Sequence, residues 1–259
     1  MDLLSQLSFP SLSDKDYDKQ LPALQQQLAR LQVSLFLQKK RALIVLEGTD
    51  AAGKGGAIRR MIQSMDPRGY RVYPIGPPSE SEAERHYQQR FWRRIPKNGQ
   101  LAIFDRSWYG RVLAERVKNL ATEQEWQRAY REINNFEGLL FDDGIIIIKL
   151  FLHISKEEQR ERFIHRWKNP DKQWKLTLED LEAHNLYSDY AEAFEDMLKK
   201  TSVEGREWQV IPANNKNYAR ICALSKTIEQ LSKTISLDSV EKPSKELSER
   251  VNKLLLTNI

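Results

Sequence analysis

The run Ala42-Leu43-Ile44-Val45-Leu46 leads, one residue later, into Gly48-Thr49-Asp50-Ala51-Ala52-Gly53-Lys54-Gly55-Gly56 and then into a helix-like stretch. An apolar strand feeding a glycine-rich turn and a helix N-terminus is a phosphate cradle. Backbone N–H groups converge on oxygens there, and Lys54 adds a point charge. Gly48, Gly53, Gly55 and Gly56 supply the bare backbone of that cradle. Position 55 departs from the usual ending, Gly-Lys-Ser/Thr, whose hydroxyl binds Mg²⁺. A glycine offers no oxygen, so Asp50 inside the loop is the candidate replacement ligand.

The rest of the chain alternates strands and helices around this unit. Strands are expected over 70–75, 100–104, 145–154 and 208–212. Helices are expected over about 13–40, up to about 65 after the loop, and over 80–94, 107–119 and 122–141. In the first helix, Tyr17, Leu21, Leu24, Leu28, Leu31 and Leu35 recur at three- and four-residue steps, and Pro22 falls near its first turns. Residues 145–154 are apolar on both faces, which suits the centre of a parallel sheet covered on either side. The expectation is a three-layer α/β/α sandwich on a parallel five-stranded sheet, with ligands at the carboxyl ends of the strands.

At 259 residues the chain suits a single domain. Its parts are a core over about 41–235, a lid over about 160–180, and a C-terminal helical appendage over about 243–257, read as a packing or subunit-contact helix. Lys plus Arg number 41 against 36 Asp plus Glu, a net charge of +5, and the excess is locally concentrated. One cysteine, Cys222, cannot form an internal disulfide, and the start lacks the pattern of a secretion signal. Apolar runs are too short to span a bilayer, so the expected compartment is the cytoplasm. Four scattered histidines offer no zinc spacing.

Asp105 directly follows the apolar strand at 100–104, where a second phosphate-site carboxylate belongs; Asp50 and Asp105 would face one ion. Arg106, Arg111 and Arg116 come next. A second basic group, Arg85, Arg90, Arg93, Arg94 and Lys97, is interleaved with Tyr87, Phe91 and Trp92; Arg90, Arg93, Arg94 and Lys97 would share a helix face. A third, Arg160, Arg162, Arg166, Lys168, Lys172 and Lys175, is broken by Asn169-Pro170 and has the form of a closing lid. Three basic groups exceed what a nucleotide's phosphates need, and a polyanionic second substrate would use the surplus.

Taken together, Gly48 to Gly56 in the form Gly-x-Asp-x-x-Gly-Lys-Gly-Gly, Asp105-Arg106-Ser107-Trp108-Tyr109, and Arg162 through Lys175 resemble the polyphosphate kinase 2 family. The similarity runs from about Tyr17 to Arg220. It implies a thymidylate-kinase-like P-loop fold with a helical lid. It also implies Mg²⁺-dependent, reversible phosphoryl transfer between inorganic polyphosphate and a purine nucleoside mono- or diphosphate, by a dimer or tetramer. Carried onto matching positions, Asp50 and Asp105 hold the metal, Lys54 and Arg106 grip the transferring phosphoryl group, and Arg166 and Lys175 contribute from the lid. Glu137 matches a position read as an outer metal ligand. The form Phe104 to Arg111 is closer to members that act on AMP.

Two other readings use the same residues. An ATP-dependent nucleoside monophosphate kinase of the thymidylate type shares the fold but normally keeps the Ser/Thr that Gly55 replaces. A non-catalytic polyanion or nucleotide sensor would keep the cradle without needing Lys54, Asp50 and Asp105 all together. Specific nucleic-acid binding is disfavoured, because the charge flanks a phosphate loop and not a groove-reading element.

Overall fold

The computed structural model describes residues 3–237 and 243–256. Its sheet contains β1 (Arg41–Gly48), β2 (Tyr70–Pro74), β3 (Leu101–Asp105), β4 (Ile145–His153) and β5 (Trp208–Pro212), in the order β2-β3-β1-β4-β5. Every pairing is parallel. β1 is therefore the central strand, and the phosphate loop leaves it flanked by the ends of β3 and β4.

The helices in chain order are α1 (Asp14–Leu37), α2 (Lys54–Ile62), α3 (Glu80–Ala83), α4 (Gln89–Trp92) and α5 (Ala114–Val117). They continue with α6 (Glu123–Asp142), α7 (Lys156–Lys168), α8 (Leu178–Asn185), α9 (Tyr187–Thr201) and α10 (Lys216–Ser232). Successive side chains of a strand point to opposite faces, and β1 divides accordingly. Ala42, Ile44 and Leu46 pack with Leu28, Leu31 and Leu35 of α1, Met61 of α2 and Leu224 of α10. Leu43 and Val45 pack with Ile133 and Phe136 of α6 and Phe194 and Met197 of α9. Two cores on one sheet make the three-layer sandwich, because a strand buried on both faces needs helices on both.

α1 starts on Ser13, whose hydroxyl accepts from the Asp16 amide, and continues through Pro22 without a break. Two expected helices are replaced by shorter turns. The stretch at 80–94 becomes α3 and α4: α3 buries no residue, and a short helix without a docked apolar face has nothing to extend it. The stretch at 107–119 becomes a 3₁₀ turn, Trp108–Arg111, followed by α5. Trp108, Tyr109, Val112 and Leu113 are all buried, and the backbone leaves the helical region at Leu113 (φ −111°, ψ −96°), which separates the turn from α5.

A short helix, Lys245–Val251, follows Pro243, and Leu247 on it and Leu254 and Leu255 beyond it are exposed on the single chain. Residue 257 of the expected appendage lies outside the described residues. Among the described residues, no helix is long and apolar enough to cross a membrane.

Candidate active site

The loop between β1 and α2 is shaped by close approach. A Cβ on Gly48 would lie 2.1 Å from the Leu152 carbonyl oxygen of β4, and the backbone there has φ +145°. The next amide, Thr49 N, donates to that same oxygen. Glycine is therefore the residue that lets β1 and β4 run this close. Gly53 (φ +105°) turns the chain into α2. Lys54 folds back over the loop, with Nζ donating to the Gly48 carbonyl at 2.8 Å and standing 3.9 Å from Asp50 Oδ1. Burial pulls the Lys54 ammonium below the usual lysine value, against the opposing pull of Asp50.

β3 brings the second carboxylate. Asp105 is in register with Leu46 of β1, and a Cβ on Gly55 would stand 3.9 Å from Asp105 Oδ2. The carboxylate thus faces the start of α2 across the space that a serine or threonine would fill in the usual loop. Arg106 follows with φ +63°, and its Nη2 donates to Asp50 Oδ1 at 2.7 Å. Burial works to raise the Asp50 carboxyl, but Lys54 and Arg106 outweigh it and hold it below the usual carboxylate range.

The lid is braced to this loop by two residues that the sequence pattern did not single out for that role. Buried Arg162 of α7 donates to the carbonyls of Ala51 (2.8 Å), Ala213 (2.7 Å) and Asn214 (2.8 Å) and pairs with Glu158 at 2.6 Å. Gln159 Nε2 donates to the Asp50 carbonyl at 3.2 Å, while its Oε1 meets His184 Nδ1 of α8 at 2.8 Å. Further out, Arg166 Nη1 donates to the Lys175 carbonyl at 3.2 Å and lies 3.7 Å from Asp180. Trp167 and Trp174 are exposed on this lid.

A cleft of about 1040 Å³ lies between loop, β3 end and lid. It gathers Asp50, Gly53, Lys54, Gly55, Gly56, Asp105, Arg106, Arg166 and Lys175, as expected from the sequence, with Gly48 behind Lys54. Arg59 and Arg60 of α2 and Lys216 and Arg220 of α10 also line it. These four carried no sequence signal, since basic residues on helix surfaces are common.

The second basic group, and Arg111 beyond Arg106, are arranged differently from the expectation. Arg90 and Arg94 stand 3.5 and 3.6 Å from Glu82, and Arg111 pairs with Glu115 at 3.0 Å while stacking on Tyr87. Neither these three nor exposed Arg93 is among the residues lining the cleft. The single helix that would have aligned Arg90, Arg93, Arg94 and Lys97 does not form. Glu137 is a second correction. Its Oε1 accepts from Trp108 Nε1 (3.0 Å) and the Tyr109 hydroxyl (2.7 Å), and its Oε2 pairs with Lys149 at 2.9 Å. With Glu137 and Lys149 1% and 0% exposed, both oxygens serve the core and no metal ligand is left.

The donor set suits a hard cation. Asp50 and Asp105 offer only oxygens, and Gly55 leaves room beside Asp105. Among the described residues, no group of three or more acids, histidines or cysteines forms a ready-made cage. Mg²⁺ takes one or two carboxylates and completes its shell with water and substrate phosphates, which fits this pair.

Comparison with known proteins places these features in a family. The family model "Polyphosphate kinase 2 (PPK2)" matches residues 11–240. A polyphosphate:AMP phosphotransferase of Pseudomonas syringae pv. tomato is 43% identical over 227 residues, covering 88% of this chain and 46% of that protein. An AMP/ADP-polyphosphate phosphotransferase of Meiothermus ruber is 45% identical over 201 residues, 77% of this chain and 75% of that protein. The crystal structure of polyphosphate kinase 2 from Arthrobacter aurescens TC1 superimposes with a TM-score of 0.88 at 33% identity, over 96% of this chain and 92% of that one. The chain spans about half the length of the polyphosphate:AMP phosphotransferases it matches.

Proposed function

The chain belongs to the polyphosphate kinase 2 family, and from that membership we propose that it transfers a phosphoryl group reversibly between inorganic polyphosphate and a purine nucleotide. The observation that carries this reading is the cleft itself. Asp50, Lys54, Asp105 and Arg106 converge on its floor, and its walls hold Arg59, Arg60, Arg166, Lys172, Lys175 and Arg220, a cationic surplus suited to a chain of linked phosphates.

In this mechanism the amides at the start of α2 hold phosphate oxygens. Lys54 exchanges its carbonyl partners for the transferring phosphoryl group, and the Arg106 guanidinium contacts the same group from the β3 side. Arg166 and Lys175 add charge as the lid closes and excludes water. Asp50 and Asp105 would hold Mg²⁺, which when bound neutralises charge on the phosphate oxygens. No general base is needed, because the acceptor is an ionised phosphate. Transfer is direct and in line, without a covalent enzyme intermediate. One P-loop domain, working as a cytoplasmic homo-oligomer, suffices for this chemistry.

The acceptor is AMP or ADP. One relative's name specifies AMP and another's AMP/ADP, and the form Phe104 to Arg111 favours AMP. The test is a matrix of donors and acceptors: AMP or ADP with Mg²⁺ and either polyphosphate or ATP, with products followed by ³¹P resonance. Efficient transfer from polyphosphate is expected. Transfer from ATP with polyphosphate inert would move the protein to the monophosphate-kinase reading.

A further inference from the structure

Glu47 lies in β1 immediately before Gly48, and it is buried, as is Ser107 two residues beyond Asp105. The Ser107 hydroxyl donates to Glu47 Oε1 at 2.7 Å and accepts from the Tyr109 amide at 3.3 Å. Between Asp105 and Ser107, Arg106 holds φ +63°, and its amide donates to the Leu46 carbonyl at 3.0 Å. A residue with a Cβ stays in the left-handed region only where its surroundings impose it. Here the imposing contacts come from consecutive residues of β1: Leu46 holds the Arg106 amide and Glu47 holds the next side chain. The outcome is a guanidinium aimed across the cleft at Asp50.

We propose that Glu47 and Ser107 form a latch between the ends of β1 and β3 that fixes Arg106 in its left-handed turn and so aims its guanidinium at the transferring phosphoryl group. Both are positioning residues, acting through Arg106. The proposal rests on the polyphosphate-transfer reading of the same cleft and deepens it. The latch needs an acceptor oxygen at position 47 and a hydroxyl at 107; it does not need the carboxylate's charge, although Lys54, Arg106 and Asp105 are its charged neighbours.

The experiment compares Glu47→Ala, Glu47→Gln, Ser107→Ala and the double Ala variant, with kinetics on polyphosphate and AMP. Misaiming Arg106 should lower kcat about 10²-fold in each single Ala variant, with KM for polyphosphate nearly unchanged. The double variant should be no slower than the worse single, as for residues acting in one unit. Glu47→Gln should restore most of the rate, because its amide oxygen still accepts from Ser107. A Gln variant as slow as the Ala variant would overturn the latch in favour of a role for the charge, and multiplicative losses in the double variant would overturn it too. A crystal structure of Ser107→Ala reads the latch apart from activity. Arg106 leaving the left-handed region supports it, and Arg106 unmoved contradicts it. If the wild-type protein moves no phosphate from polyphosphate, the functional reading fails while this structural readout still decides the latch.

Discussion

Arg106 Nη2 stands 2.7 Å from Asp50 Oδ1, joining the end of β3 to the phosphate loop across the floor of the cleft. Each partner has a second task in the proposed reaction: Asp50 toward the divalent ion, Arg106 toward the phosphoryl group. Substrate binding therefore exchanges one charge pairing for two others. Asp50→Asn should lower kcat by about 10²–10³-fold, the usual loss on removing one preorganised charge contact. It should also raise the Mg²⁺ concentration giving half-maximal rate. A Mg²⁺ titration of the variant checks this, and an unchanged half-maximal concentration would remove Asp50 from the metal site.

Arg162 ties the lid helix to the phosphate loop through the Ala51 carbonyl and to the segment after β5 through the carbonyls of Ala213 and Asn214. Arg162→Ala leaves those oxygens without their donor and Glu158 without its partner. The expected loss is about 2–4 kcal/mol of stability, read as a lower denaturation midpoint. The rate should fall as well, because Ala51 and Asp50 are held from the same helix. A variant of wild-type stability would mean that α7 does not brace the loop.

The Glu137–Lys149 pair gives a prediction of a different kind. Replacing one member strands a buried charge and should cost about 3–5 kcal/mol, whereas replacing both with apolar residues of similar size should be milder. Urea unfolding of Glu137→Gln, Lys149→Met and the double variant Glu137→Leu with Lys149→Met measures this. The folded fraction of each should keep the wild-type Mg²⁺ requirement, since neither residue faces the cleft. A selective loss of Mg²⁺ response in Glu137→Gln would restore that residue to the metal site.

Burial pushes the Glu47 carboxyl up to about 7, partly opposed by its Ser107 hydrogen bond and by Lys54 and Arg106, from an unperturbed value of 4.5. Between those two values the native state keeps a proton that the unfolded chain has lost. Stability contributed by this group is therefore full below 4.5 and lost as pH rises through about 7. Glu47→Gln removes that titration. In metal-free buffer, its thermal midpoint relative to wild type should rise between pH 5 and pH 8, and parallel curves would contradict the assignment.

The parts legible in the sequence were those written in contiguous residues. β1 and β4 are nearly unbroken apolar runs because helices cover both faces, and the glycine loop that follows β1 needs its backbone free of side chains. What escaped depended on partners distant in the chain. Arg90, Arg94 and Arg111 had the same local look as Arg106, and only the fold reveals that Glu82 and Glu115 claim them while Arg106 reaches Asp50. Glu47 is one acid at the end of a strand, and its meaning comes from Ser107, sixty residues on. Lys149 did carry a usable signal. A lysine inside a buried apolar strand demands an acid, and following that demand would have sent Glu137 to the core.

The most direct test of the central claim is the initial rate of polyphosphate-dependent AMP phosphorylation by the wild-type protein beside Lys54→Ala and Asp105→Asn, with each variant's thermal midpoint recorded. The account predicts efficient turnover by the wild type and losses of about 10²-fold or more in both variants, with rates compared below each variant's own midpoint because Lys54→Ala also removes the donor to the Gly48 carbonyl. Near-normal rates in either variant would contradict it.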